Sequence, residues 1–406
     1  MASKSKDGSG HKIGGLFEAG DGLRGMALLC IIVFHAAAPI ALARGGFVGK
    51  ELGWSQAFGT GKGDFFRALE LWVYLFFSLS AFLLSRPYIA WIAGKRGRPD
   101  SVTFFKRRVF RIVPMFWATG IFVLIKYGRG GSPWHDVAYY FGFLQVYHPS
   151  AFSAPVAHGW SIDDEWLFYL LLPLCAFAAA GIYARVKDAR AALFAAITLI
   201  VGVVLAGYLA RRVGMDRGPG KLSSPLVQSP PGLLRAFAPG IFMAMFEIAY
   251  SDRLRGSRNL RLIGSAMSLA GIALIFAAFH IGGIHADTQS SVLTGSLIGG
   301  LVVGGALLVQ IGGDGAVWWL WGNPVIRWYG ERSYSIFLLH GVALYELRKI
   351  STHGSATGAV VLYSAAAIAV LTVVGYFTYR FIEKPFMDYS HRGSRRKVEP
   401  LPSAPA

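Results

Sequence analysis

Apolar runs of about twenty residues recur along this chain, and they dictate the solvent in which it folds. Backbone N–H and C=O groups find no water in hydrocarbon, so each run must close its own hydrogen bonds as a helix. Ten runs qualify, at roughly 22–43, 69–92, 110–127, 164–184, 191–210, 233–250, 260–280, 291–311, 333–350 and 357–381. The expected fold class is therefore all-α, a polytopic integral membrane bundle of about ten transmembrane helices. Composition agrees: 54% of residues are hydrophobic and 15% are charged, where a soluble chain carries about a quarter charged. An alternative for the first run is a signal peptide, because Ala41-Leu42-Ala43 has the A-x-A form. Against it, the run exceeds the usual h-region length and holds a histidine.

An even number of spans puts both termini on one side, and the basic residues then test which side that is. The termini and the loops on their side hold 26 of the 40 Lys and Arg, including seven between Lys95 and Arg111. The opposite side holds at most twelve. Both termini are therefore expected in the cytosol. The expected organisation is a cytosolic tail over 1–20, a membrane domain over 21–388, and a basic, disordered cytosolic tail over 389–406. A net charge of +18 would point to nucleic acid in a soluble protein. In a bilayer it points to anionic head groups and cytosolic anions, so no nucleic-acid partner is expected.

Cys30 and Cys175 both lie inside apolar runs and can build neither a disulfide framework nor a thiolate metal site, so no metal centre is expected. No H-E-x-x-H, P-loop or G-x-S-x-G string is present. His158 and Asp163 fit an H-x4-D spacing, a two-residue pattern that ten histidines can produce by chance.

Arg24 and His35 are more telling. Eleven residues apart on one helix, they share a face and stand about 16 Å apart along its axis. A permanently charged guanidinium at the cytosolic mouth suits phosphate, whereas an imidazole near mid-membrane suits proton transfer. Each also has a plain structural reading, Arg24 as a snorkelling anchor and His35 as a helix-packing group. The cluster Lys106, Arg107, Arg108 and Arg111 is either topogenic or a second phosphate contact. In Trp160-Ser161-Ile162-Asp163-Asp164-Glu165-Trp166, Ser161 is expected to cap a helix whose first turn carries the carboxylates. Glu165 opens the apolar segment, where an acidic group more often serves function.

The string Asp21-Gly22-Leu23-Arg24-Gly25 followed by His35 resembles the opening of membrane-bound acyltransferase family 3, whose mark is Arg or Lys, ten residues, then His. Further blocks agree in order: FFSLSAFLL (76–84), RRVFRIVP (107–114), WSIDDEWLFY (160–169), YSIFLLH (334–340) and YRFIEKPF (379–386). The resemblance runs from about residue 18 to 388. In the second block Ala81 stands where the family usually has Gly, which matters only if a backbone approaches closely there.

The resemblance implies an acyl-CoA-dependent O-acyltransferase of the bacterial cytoplasmic membrane. Such an enzyme moves an acyl group, commonly acetyl from acetyl-CoA, to a hydroxyl of an envelope carbohydrate or glycolipid, with no permanently bound cofactor. His35 and Glu165 are the implied catalytic residues, His35 as general base or acyl carrier and Glu165 orienting His35 or binding the acceptor. Arg24, Arg107, Arg108 and Arg111 are the implied acyl-CoA contacts, and Ser80, Trp160, Tyr169, Tyr334 and His340 the implied substrate-binding or cavity-lining residues. The competing class is a transporter or flippase, with Arg24 and His35 lining a path.

Overall fold

A computed structural model describes residues 18–43, 50–129, 132–147, 156–185, 205, 209, 230–282, 289–312, 318–349 and 355–395, and among them the regular secondary structure is entirely helical. Helix α1 (Glu18–Ala43) is followed by the short α2 (Lys50–Phe58) and α3 (Thr60–Ala68). A 3₁₀ turn leads from α3 straight into α4 (Trp72–Ile92). Next come α5 (Ser101–Tyr127), the short α6 (Trp134–Phe141) and α7 (Trp160–Arg185). Then follow α8 (Pro230–Leu254), α9 (Arg258–Gly282) and α10 (Gln289–Gly312). The last group is α11 (Trp318–Gly322), α12 (Pro324–Glu331), α13 (Ser333–Leu347), α14 (Ala356–Thr378) and α15 (Lys384–Arg395).

Among the described residues, seven helical stretches are long and apolar enough to cross a bilayer, and they overlap the expected first to fourth, seventh, eighth and tenth spans. The expected sixth lies on α8. Nearly all of the fifth, 191–210, lies outside the described residues. The ninth differs: α13 has 15 residues and ends at Leu347, about 22 Å of helix, short of a hydrocarbon core of about 30 Å. It is packed inside the bundle instead, with Ile336, Leu338 and His340 fully buried. Large apolar side chains point outward on α5, α7 and α14, among them Ile125 at 81% exposed, Leu174 at 64% and Val361 at 62%. Such outward apolar faces on long helices suit lipid as the solvent. The chain is an all-α membrane helix bundle.

Helix α1 is the hub, packing against α4, α11, α12, α13 and α14. A glycine on each partner, Gly25 on α1 and Gly330 on α12, makes the closest of these crossings possible. A Cβ on Gly25 would lie 2.0 Å from the Ile326 carbonyl oxygen, and one on Gly330 would lie 1.7 Å from that of Asp21. On α4, Ala81 is fully buried against α8, and the close approach is met from the other side by Gly240, whose Cβ would lie 1.9 Å from the Ser78 carbonyl oxygen.

Start signals are local. Asp100 caps α5 by accepting from the Val102 and Thr103 amides at 3.0 and 3.3 Å. Asn323 caps α12 with Pro324 in its first turn. Helix α15 continues past 389, the expected start of the tail, to Arg395.

Candidate active site

A cavity of about 170 Å³ lies between α1, α4, α5, α7 and α13. Arg24 from α1, Arg108 and Arg111 from α5, Glu165 and Tyr169 from α7, Ser80 from α4 and Tyr334 from α13 all line it. Phe76, Phe77 and Phe337 give it an apolar wall. Seven of the residues singled out in the sequence thus converge from five helices.

Each cation has a distinct setting. Arg24 Nη1 lies 3.1 Å from Asp21 Oδ1, one turn earlier on α1. Arg111 Nη1 lies 3.7 Å from Glu383 Oε1, and Ser335 Oγ donates to Glu383 Oε2 at 2.7 Å. Among the described residues Arg108 has no carboxylate within ion-pair distance; its guanidinium lies over Tyr169 and Phe104, 5.7 and 5.8 Å from the ring centres. Residues 108 and 111 are three apart on α5 and so share a face. Arg107 does not line the cavity.

Glu165 accepts a hydrogen bond from Ser80 Oγ at 2.5 Å. Of the two roles expected of this carboxylate, orienting His35 is not supported by contact, because the imidazole is held by other groups. His35 Nδ1 lies 3.0 Å from the Ile31 carbonyl oxygen and 3.3 Å from His340 Nε2. Neither His35 nor His340 lines the cavity. Phe337 lies between: its ring forms part of the cavity wall and packs 5.3 Å from the rings of His340 and His158. Tyr334 donates to the Ile112 carbonyl at 2.8 Å, which ties α13 to α5. Trp160 also stays outside the lining, its ring 6.3 Å from that of Phe77.

Ser161 is not the cap expected of it. The 3₁₀ turn Ala157–Gly159 runs directly into α7, so Ser161 is already helical, and its hydroxyl donates to the His158 carbonyl at 3.3 Å. The H-x4-D pair does not form a unit either. His158 Nε2 bonds the Leu338 carbonyl at 3.2 Å, whereas Asp163 is fully buried in the first turn of α7.

Two residues were not given their place beside these groups by the sequence. Glu383 sits in the YRFIEKPF block, and the signal available was an acidic group closing an apolar run in a chain with only 22 acidic residues. It reaches the interior because residues Tyr379–Glu383 form a π-turn, a local widening common at functional sites. His158 packs against His340, ring centres 4.2 Å apart and planes tilted by 47°, and no spacing in the sequence pairs these two.

A family profile described as "Acyltransferase domain" matches residues 18–380. The chain belongs to acyltransferase family 3. It is 23% identical over 398 residues to YrhL of Bacillus subtilis (strain 168), named for peptidoglycan O-acetyl transfer. That alignment takes in 93% of this chain and 56% of YrhL, so the chain spans little more than half the length of that relative. It is 27% identical over 333 residues to the exopolysaccharide production protein ExoZ of Rhizobium meliloti (strain 1021), covering 79% of this chain and 91% of ExoZ. No solved structure matches.

Proposed function

We propose that this family 3 protein transfers an acyl group, acetyl in the first instance, from cytosolic acyl-CoA to a hydroxyl of an envelope carbohydrate or glycolipid at the bacterial cytoplasmic membrane. One observation carries the reading. An arginine-lined cavity and a histidine pair inside the bundle, His340 buried and His35 partly so, are set one side-chain layer apart, and α1 contributes Arg24 to the first and His35 to the second. Arg108, with Arg24 and Arg111, offers phosphate oxygens the planar donors they prefer.

A volume of about 170 Å³ is well below the 300–1,000 Å³ usual for a whole ligand. The nucleotide end of coenzyme A therefore stays at the basic mouth while the narrow pantetheine arm carries the thioester toward Phe337. His35 receives it as general base for the acceptor hydroxyl arriving from the outer side. Glu165 and Tyr169 sit where they meet the donor, Glu165 already held by Ser80. The excess of basic residues on the side of the termini supports a cytosolic mouth for acyl-CoA. YrhL and ExoZ are both named for work on envelope or secreted polysaccharide, which supports that acceptor class.

Purified protein in lipid nanodiscs, given radiolabelled acetyl-CoA and an envelope glycan fraction, is expected to place label on glycan in a form released by mild base, as an ester is. Label that stays on coenzyme A, with reconstituted vesicles moving substrate across the bilayer unreacted, would instead support the transport reading.

A further inference from the structure

His35 and His340 come from α1 and α13, 305 positions apart, and meet nitrogen to nitrogen at 3.3 Å inside the bundle. Backbone carbonyls fix the tautomers, because a carbonyl only accepts. His340 Nδ1 is bonded to the Phe337 carbonyl, so it carries hydrogen and His340 Nε2 presents a lone pair. His35 Nδ1 is bonded to the Ile31 carbonyl, so it also carries hydrogen, and its second acceptor is that lone pair. His35 Nε2 is left bare, as a base must be.

The setting around this pair is apolar. His340 is fully buried, flanked by the Phe337 ring and by the His158 ring, tilted at 47° with its centre 4.2 Å away. His158 Nε2 is spent on the Leu338 carbonyl, so its contact with His340 is ring against ring. An imidazolium confined to His35 would be a bare cation in that environment, which is costly to form. Spreading the proton over two imidazoles lowers the cost.

We propose that His340 is a positioning residue that also takes up the His35 Nδ1 proton during transfer. This rests on the reading of His35 as general base. His35 Nε2 removes the acceptor hydroxyl proton as the oxygen bonds the acyl carbon, and His35 Nδ1–H passes to His340 Nε2. As the C–S bond breaks, the thiolate of coenzyme A takes the Nε2 proton and His340 returns its own to His35. The acceptor has lost one proton and the thiol has gained one, with both imidazoles restored.

Two substitutions each keep half of the imidazole. His340→Gln sets an amide oxygen near the Nε2 position, able to accept from His35 but not to hold a proton. His340→Asn keeps a donor for the Phe337 carbonyl. Both are expected to lower the single-turnover transfer rate by about 10²-fold, the low end for loss of a proton-transfer group, with the KM for acyl-CoA unchanged. In the unsubstituted protein, the rate measured across H₂O–D₂O mixtures is expected to curve, as two protons in flight require. A linear dependence overturns the proposal, and so does a parental rate in either variant that still binds coenzyme A. His35→Ala run alongside separates the two levels: if it retains transfer, the general-base reading itself has failed, whereas if it alone is inactive, only the role of His340 has.

Discussion

Glu383, outside the cavity lining, holds Arg111 on the cavity wall, its carboxylate 3.7 Å from the guanidinium and itself bonded by Ser335. The carboxylate side chain is fully buried. Truncating one partner of a buried pair costs about 3–5 kcal/mol, because the other is left charged and alone. Glu383→Ala is therefore expected to reduce the yield of folded protein and to lower its melting temperature in detergent. Glu383→Gln keeps the shape and the Ser335 contact but releases Arg111. Its expected signature is a raised KM for acyl-CoA in protein that still folds, measured by initial rates over a donor titration.

The arginine cluster divides by direction. Arg108 and Arg111 line the cavity and Arg107 does not. Arg108→Lys and Arg111→Lys should each raise the KM for acyl-CoA several-fold, since an ammonium cannot reproduce two-pronged phosphate contacts. Arg107→Lys should leave donor kinetics as they are. Unchanged donor kinetics at all three positions would return the cluster to a purely topogenic role.

Helix packing gives a test that needs no substrate. At position 25 an added Cβ would meet the Ile326 carbonyl at 2.0 Å, whereas at Gly61, on α3, it meets nothing within 4 Å. Overpacking of this kind costs about 1–3 kcal/mol, and Ala in place of an unhindered helical Gly gains up to about 1 kcal/mol. Gly25→Ala should lower the thermal midpoint and Gly61→Ala should hold or raise it.

The orientation follows from the basic residues and is open to labelling. In a background lacking Cys30 and Cys175, Asp252→Cys should be protected from an impermeant thiol reagent in intact cells, and His135→Cys should react. Both side chains are 56% exposed, so access to the residue does not decide the outcome. The reverse pattern would place the basic mouth outside.

How much of this was legible in the sequence depends on the range of the interaction. The helices were legible because apolar length is a local property, and the Arg24–His35 face because both lie on one helix. The cap at Ser161 was misread because the 3₁₀ turn at Ala157–Gly159 continues directly into α7, which no residue of the WSIDDE string announces. The ninth span, expected over 333–350, was read as a crossing because its residues are apolar, whereas α13 ends at Leu347 before Arg348 and Lys349 and is buried among other helices. The pairs Arg111–Glu383, Ser80–Glu165 and His35–His340 join distant helices, so only the assembled bundle reveals them. The ordered blocks named the right segments without saying which side chains face one another.

The central claim is that His35 does chemistry while Arg24 holds the donor, and single-turnover acyl transfer measured beside direct acyl-CoA binding tests it most directly. His35→Ala is expected to lose about 10²–10⁴-fold in transfer rate while binding acyl-CoA as before. Arg24→Ala is expected to weaken binding of acyl-CoA and of free coenzyme A alike, since the phosphates are common to both. Transfer by His35→Ala at the parental rate would contradict the account.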